Sequence, residues 1–160
     1  MGRQEPRMRI SERALTVWRL YGWISAAITL LVGAGVTTLA ILFDWSVWFI
    51  IGAAVALVLE IILFVFVLPT LKWKRWRYEV REEEIELQHG IFVVTRTLVP
   101  MVRVQHVDTE QGPILRKYRL ATISISTAAT LHQIPALDID EADELRDSIS
   151  ALARVAEDDV

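Results

Sequence analysis

Two uninterrupted apolar runs, separated by three residues, constrain this chain more than any other feature. From Leu20 to Phe43 every residue is apolar, aromatic, small or hydroxylated, and after Asp44-Trp45-Ser46 the pattern resumes from Val47 to Leu68. Coiled at 1.5 Å per residue, either run is long enough to cross a hydrocarbon core about 30 Å thick. A buried hairpin in a soluble core is the competing arrangement, but it leaves the tryptophans unexplained. All six flank the runs: Trp18 and Trp23, Trp45 and Trp48, Trp73 and Trp76. Indole has an apolar body and one donor, so it favours the headgroup layer. The first run is too long and too far in for a cleaved signal peptide, and it lacks a small-x-small site.

Charge is segregated outside the runs. Arg3, Arg7, Arg9, Arg13 and Arg19 precede the first, Lys72, Lys74, Arg75, Arg77 and Arg81 follow the second, and the connecting loop carries no base. The positive-inside bias then predicts both termini in the cytoplasm, with the hairpin in the membrane. The net charge of −3 averages this basic region with nine acidic groups in residues 138–160. No even basic field exists for a nucleic-acid partner. The absence of cysteine excludes disulfides and thiolate metal sites. The expected organisation is a basic N-terminus (1–19), a transmembrane helical hairpin (20–68), a cytoplasmic domain (70–155) and an acidic tail (156–160). Pro69 is placed to end the second span. Lys72, Trp73, Lys74, Arg75, Trp76 and Arg77 then meet the membrane interface and its anionic lipids.

A short turn makes the hairpin tight, so Ala34 and Gly35 are expected to oppose Gly52, Ala54 and Ala56. Small residues on both faces would permit close backbone approach. Glu60 is the exception inside the second span, where a carboxylate costs about 2.5–3.5 kcal/mol on insertion scales. Register predicts Thr29 beside it. Two readings stand: a neutral Glu60 bonded to the Thr29 hydroxyl, or a contact with another chain in the bilayer. Neither span offers a second acid, His or Lys for a proton pathway.

The remaining residues read as short strands followed by one helix. Strand period covers Trp76–Val80, Ile85–Gln88, Phe92–Val99, Val102–Thr109, Thr122–Thr127 and Leu131–Ile134. Arg81–Glu84, His89-Gly90, Pro100 and Gly112-Pro113 break them. A helix follows, with Asp138 and Glu141 spaced as a capping box. Ala142, Leu145, Ile149 and Leu152 form its docking stripe. Six antiparallel strands and a helix predict a small barrel with one end plugged.

The stretches "EEIELQHGIF", "LVPMVRVQHVDTEQGPILRKYRLATISIST" and "IPALDIDEADELRDSI" resemble the bacterial pleckstrin-homology-like domain of the membrane-flanked, YdbS type. The resemblance covers residues 70–153, and two preceding spans fit it. It implies about seven strands and a C-terminal helix, one strand more than the periodicity reveals. Where such domains carry glycine, this chain has Arg119, and it has Ala128-Ala129 for an Ala-Gly pair. If those glycines serve positive φ, the turns here must differ. The resemblance also implies a companion role beside a larger membrane protein with similar domains, in envelope stress or resistance.

No catalytic constellation, cofactor motif or metal set emerges. His89, His106 and His132 share no ligand spacing, and Ser124, Ser126 and Thr127 lack a nucleophile-elbow context. There is no phosphate-binding glycine loop. Members that bind phosphoinositides use bases near the first turn, whereas Arg81-Glu82-Glu83-Glu84 would repel a polyphosphate. Arg103, Gln105, His106, Gln111, Arg116 and Lys117 make the candidate binding surface. The expected function is non-enzymatic: assembly with a larger membrane protein or with itself. A lipid-sensing or lipid-handling module is the alternative.

Overall fold

A computed structural model describes residues 5–158; Arg3, Asp159 and Val160 of the expected charged termini lie outside the described residues. The chain divides into two compact units, one of Leu15–Leu71 and one of Met1–Ala14 with Lys72–Val160.

The first unit is the helical hairpin. Helix α1 spans Arg13–Leu42, and the second rod is continuous through α2 (Val47–Glu60), a π-helical stretch (Ile61–Val67) and α3 (Leu68–Arg75). Both rods are long and apolar enough to cross a membrane. Helix α1 ends in a Schellman motif: Trp45 N–H reaches the Ala40 carbonyl at 2.8 Å and Asp44 N–H the Ile41 carbonyl at 3.4 Å. Asp44 sits at φ 51°, the left-handed conformation this cap requires.

Contrary to expectation, Pro69 does not stop the second rod, which continues to Arg75. Proline lacks an N–H and crowds the carbonyl four residues back, but local π geometry and hydroxyl donors can absorb both defects in a membrane helix. Here the π stretch lies just ahead of Pro69, and the Thr70 hydroxyl donates to the Phe66 carbonyl at 2.6 Å.

Among the described residues the second unit holds seven strands in two antiparallel sheets, ordered β1-β2-β3-β4 and β5-β6-β7. They are β1 (Met8–Arg9), β2 (Arg77–Val80), β3 (Glu84–His89), β4 (Thr95–Pro100), β5 (Val104–Glu110), β6 (Leu120–Thr127) and β7 (Leu131–Asp138). A 3-10 turn (Met101–Arg103) leads into β5, and a short helix α4 (Pro113–Lys117) joins β5 to β6. Helix α5 (Ile139–Asp158) packs on β5, β6 and the 3-10 turn. It extends through Glu157 and Asp158, further than the expected acidic tail implied. Phe92–Val94, read as strand, lie in the turn before β4.

The strand that periodicity did not reveal is β1, and it precedes the membrane hairpin. Met8 pairs with Tyr78 and Arg9 with Arg77. Around this pair the N-terminal segment is tied down at several points. Ile10 is 2 % exposed. Ser11 N–H donates to the Ala136 carbonyl at 3.2 Å, and the Trp73 indole donates to the Ser11 carbonyl at 3.1 Å. Glu5 meets Arg77 at 3.3 Å and Arg13 meets Asp138 at 3.4 Å. A two-residue strand carries too little alternation to be seen in sequence.

The core combines Tyr78, Ile85 and Leu87 with Met101, Ile123, Ile125, Ile134, Leu137 and Ile149. Ala142 and Ile149 of the α5 stripe are fully buried. The polar face of β3 is covered too, with Glu86 at 1 % and Gln88 at 6 % exposure. Both are partnered, as buried polar groups must be: Glu86 by Arg81 at 3.3 Å and Gln88 by Arg96 at 2.9 Å.

The capping box does not form as expected. Asp138 accepts from Ser11, and Glu141 accepts from the Tyr78 hydroxyl at 2.7 Å. The first helical N–H, of Ile139, is satisfied instead by the Arg119 carbonyl at 3.1 Å. Arg119 holds φ 55°, so it keeps the left-handed turn without a glycine, while Ala128 and Ala129 keep negative φ. That conformation costs a side-chain-bearing residue about 1–2 kcal/mol, and glycine returns part of the gain as unfolded-state freedom. Arg119→Gly is therefore expected to stabilise the domain by about 0.5–1 kcal/mol. A thermal melt that moves down rather than up would refute the strain at this turn.

Tyr78 is fully buried. Burial first, then its bond to Glu141 and that group's charge, push the phenol well above its ordinary range. The folded-state value exceeds the unfolded one, so this stabilisation is complete below about pH 10 and is lost as pH rises further. Tyr78→Phe should cost about 1 kcal/mol at neutral pH and remove part of the alkaline slope. Urea midpoints at neutral and alkaline pH check both effects.

Candidate functional site

Three places collect the polar residues singled out in the sequence. The first is the exit from the membrane. Lys72, Trp73, Lys74 and Arg75 form the last turn of α3, and Trp76 and Arg77 lead into β2. Lys74 and Arg75 are exposed. The two tryptophans are less available than an interface belt requires. Trp76 is 6 % exposed and stacks on His89 at 5.9 Å. Trp73 is half-buried and carries Arg9 over its ring at 5.7 Å. Their proximity to β1 and β3, which sequence does not show, draws them into the domain.

The second is Glu60. Its carboxylate accepts from the Ser25 hydroxyl at 2.8 Å, so the partner is Ser25 rather than the expected Thr29. The reason lies one turn away. A Cβ on Gly22 would come within 2.6 Å of the Phe64 carbonyl oxygen, so the two helices approach here more closely than a side-chain-bearing residue allows. Ser25 follows Gly22 by three residues and Glu60 precedes Phe64 by four, so both share that contact face. The expected close packing of Ala34 and Gly35 on Gly52, Ala54 and Ala56 is not found. Nothing lies within 4 Å of a Cβ placed on Gly35 or Gly52. Thr29, Ala34, Ala54 and Ala56 instead line an apolar groove of about 600 Å³ between the helices.

The third is the candidate surface on the domain, which divides. Arg103 and Gln105 line a hollow of about 400 Å³ with Leu98, Val102 and His132. It sits where β4, the last strand of one sheet, passes to β5, the first of the other. His132 had no sequence signal to join it to Arg103; the β6–β7 register, with Ile125 opposite His132, brings it there. His106 is exposed on β5 outside this lining. Gln111 is structural, its amide donating to the Leu120 carbonyl at 2.9 Å. Arg116 and Lys117 are exposed on α4, beyond the far end of β5, about 20 Å along the strand.

The first turn of the domain is acidic in space as well as in sequence. Arg81 is shared by Glu79, Glu84 and Glu86 at 3.2, 3.1 and 3.3 Å. The Glu79 hydrogen bond, foremost, holds its guanidinium further above its already high range. With this base committed, Glu82 and Glu83 stand exposed, a poor cradle for a polyphosphate.

The family model described as "Bacterial PH domain" matches residues 14–153. The UPF0699 transmembrane protein YdbS of Bacillus subtilis (strain 168) is 56 % identical over 160 residues, covering 99 % of this chain and 99 % of that protein. The larger UPF0699 transmembrane protein YdbT of the same organism is 22 % identical over 94 residues, which span 55 % of this chain and 19 % of YdbT. No solved structure matches. Two membrane-spanning helices joined to a seven-stranded domain closed by α5, together with these matches, make the chain a transmembrane member of the bacterial PH domain family.

Proposed function

We propose that this protein is a non-enzymatic subunit of an assembly in the bacterial plasma membrane, with both termini cytoplasmic. Its PH-like domain engages a protein partner, either a larger membrane protein carrying similar domains or a second copy of itself. The observation that carries this reading is the hollow at the junction of the two sheets. There Arg103, Gln105 and His132 surround an apolar floor beside β4, whose outer edge is unpaired among the described strands. An unpaired edge can accept an added strand, and the Arg103 guanidinium favours an acidic segment. The 22 % identity to part of YdbT supports a larger partner of related build. The β1–β2 pairing supports one face for both termini, and the basic residues support the cytoplasmic face. The setting implied by the resemblance is envelope stress or resistance.

Native mass spectrometry of the full-length protein, extracted from its host membrane in mild detergent, tests this. A stoichiometric second membrane protein, lost in Arg103→Glu, is expected. A monomer or homo-oligomer carrying one lipid class would instead favour lipid handling. That second reading draws on the groove between the helices, whose apolar walls suit an acyl chain.

A further inference from the structure

The turn between β3 and β4 reads Gly90-Ile91-Phe92-Val93-Val94. Turns ordinarily use Gly, Pro, Asn, Asp or Ser. This one presents Phe92 at 89 % and Val93 at 76 % exposure, with Val94 also exposed. Such a tip is out of place in water. It is also held in shape. Gly90 takes φ 122°, and a Cβ there would overlap the Val93 carbonyl, so the turn folds back over its own first residue. His89, at its base, stacks on Trp76 at 5.9 Å.

The surroundings identify what covers it. Ile91, Phe92 and Val93 line one hollow with Lys72 and Trp76. Lys72 directly follows Leu71, the last residue of the hairpin unit, and Lys74 and Arg75, two and three positions further on, are exposed. Within its own unit the turn therefore lies against Lys72, the residue at which the chain passes from the hairpin to the domain. We propose that Ile91–Val94 is a membrane-inserting finger, with Phe92 and Val93 entering the headgroup–acyl boundary of the bilayer that the hairpin spans. Apolar tips flanked by bases bind such boundaries through buried area together with attraction to anionic lipid. The inference rests on the spanning reading and not on the identity of any protein partner.

The chain has no cysteine, so single labels are unambiguous. Full-length Val93→Cys would carry an NBD fluorophore in vesicles of phosphatidylcholine and phosphatidylglycerol, with exposed Ser148→Cys as the water reference. Blue-shifted emission at position 93, quenched by lipids brominated on their acyl chains, is expected, with neither effect at 148. Adding Phe92→Ser should reduce the bromolipid quenching about twofold or more. Quenching by aqueous iodide equal to that at 148 would overturn the proposal. So would protection from iodide without bromolipid quenching, which would mean that protein covers the turn. Because the vesicles contain no other protein, loss of a partner cannot produce the expected result.

Discussion

Ile10→Ala is expected to destabilise the domain that follows the membrane hairpin by about 2–5 kcal/mol, the range for truncating a buried aliphatic side chain. Ile10 precedes that domain by the whole hairpin, yet it is 2 % exposed within it. It follows β1, whose residues pair with Tyr78 and Arg77 on β2. Truncation removes methyl groups where relaxation is limited, because Ser11 is bonded on both sides, to Ala136 and to Trp73. Amide exchange at Ile123 and Ile125, measured on the full chain in nanodiscs, reports the loss. Unchanged exchange would mean that β1 does not pair with β2 in the membrane, and the support for placing both termini on one face would fall with it.

The second large effect concerns Glu60. Glu60→Leu is expected to favour insertion of the second span by about 2.5–3.5 kcal/mol. The same change should weaken assembly if the carboxylate meets another chain in the bilayer. Ser25→Ala separates the two roles. Ser25 occupies one carboxylate oxygen from within the hairpin, and Glu60 remains half-exposed. A contact with another chain predicts that Glu60→Leu lowers crosslinked assembly while Ser25→Ala leaves it nearly intact. If assembly is unchanged in Glu60→Leu, the carboxylate serves only the hairpin.

Membrane character was legible in the sequence for a direct reason. Hydrocarbon offers no hydrogen-bond partner, so it dictates the composition of some twenty consecutive residues at once. The strands with buried faces were legible for a weaker version of the same reason. Ile123 and Ile125 repeat at period two because β6 buries that face. Ser124 shows the limit of that logic. It alternates as if solvated, yet it is buried, donating to Glu110 at 2.9 Å and accepting from Gln133 at 3.2 Å.

The partners were a different matter, because each depends on register between segments far apart in the chain. Glu60 was recognisable as an anomaly by its chemistry alone. Its partner was misread by one helical turn, because counting out from the loop does not show that Gly22 meets Phe64, the contact beside which Ser25 and Glu60 pair. Arg119 raised a question about its turn that only its φ of 55° answers. Sequence grouped Arg103, Gln105 and His106 with Gln111, Arg116 and Lys117 in one candidate surface. Packing joined Arg103 to His132 from another strand and left Arg116 and Lys117 at the opposite end.

From its sequence alone this chain is a two-span membrane hairpin with an antiparallel domain after it, because solvent and bilayer act on every residue according to composition and period. Only the tertiary structure decides that the segment before the hairpin completes that domain, that Ser25 rather than Thr29 meets Glu60, and that Phe92 and Val93 stand bare at a turn. Those are outcomes of long-range pairing, which local pattern does not encode.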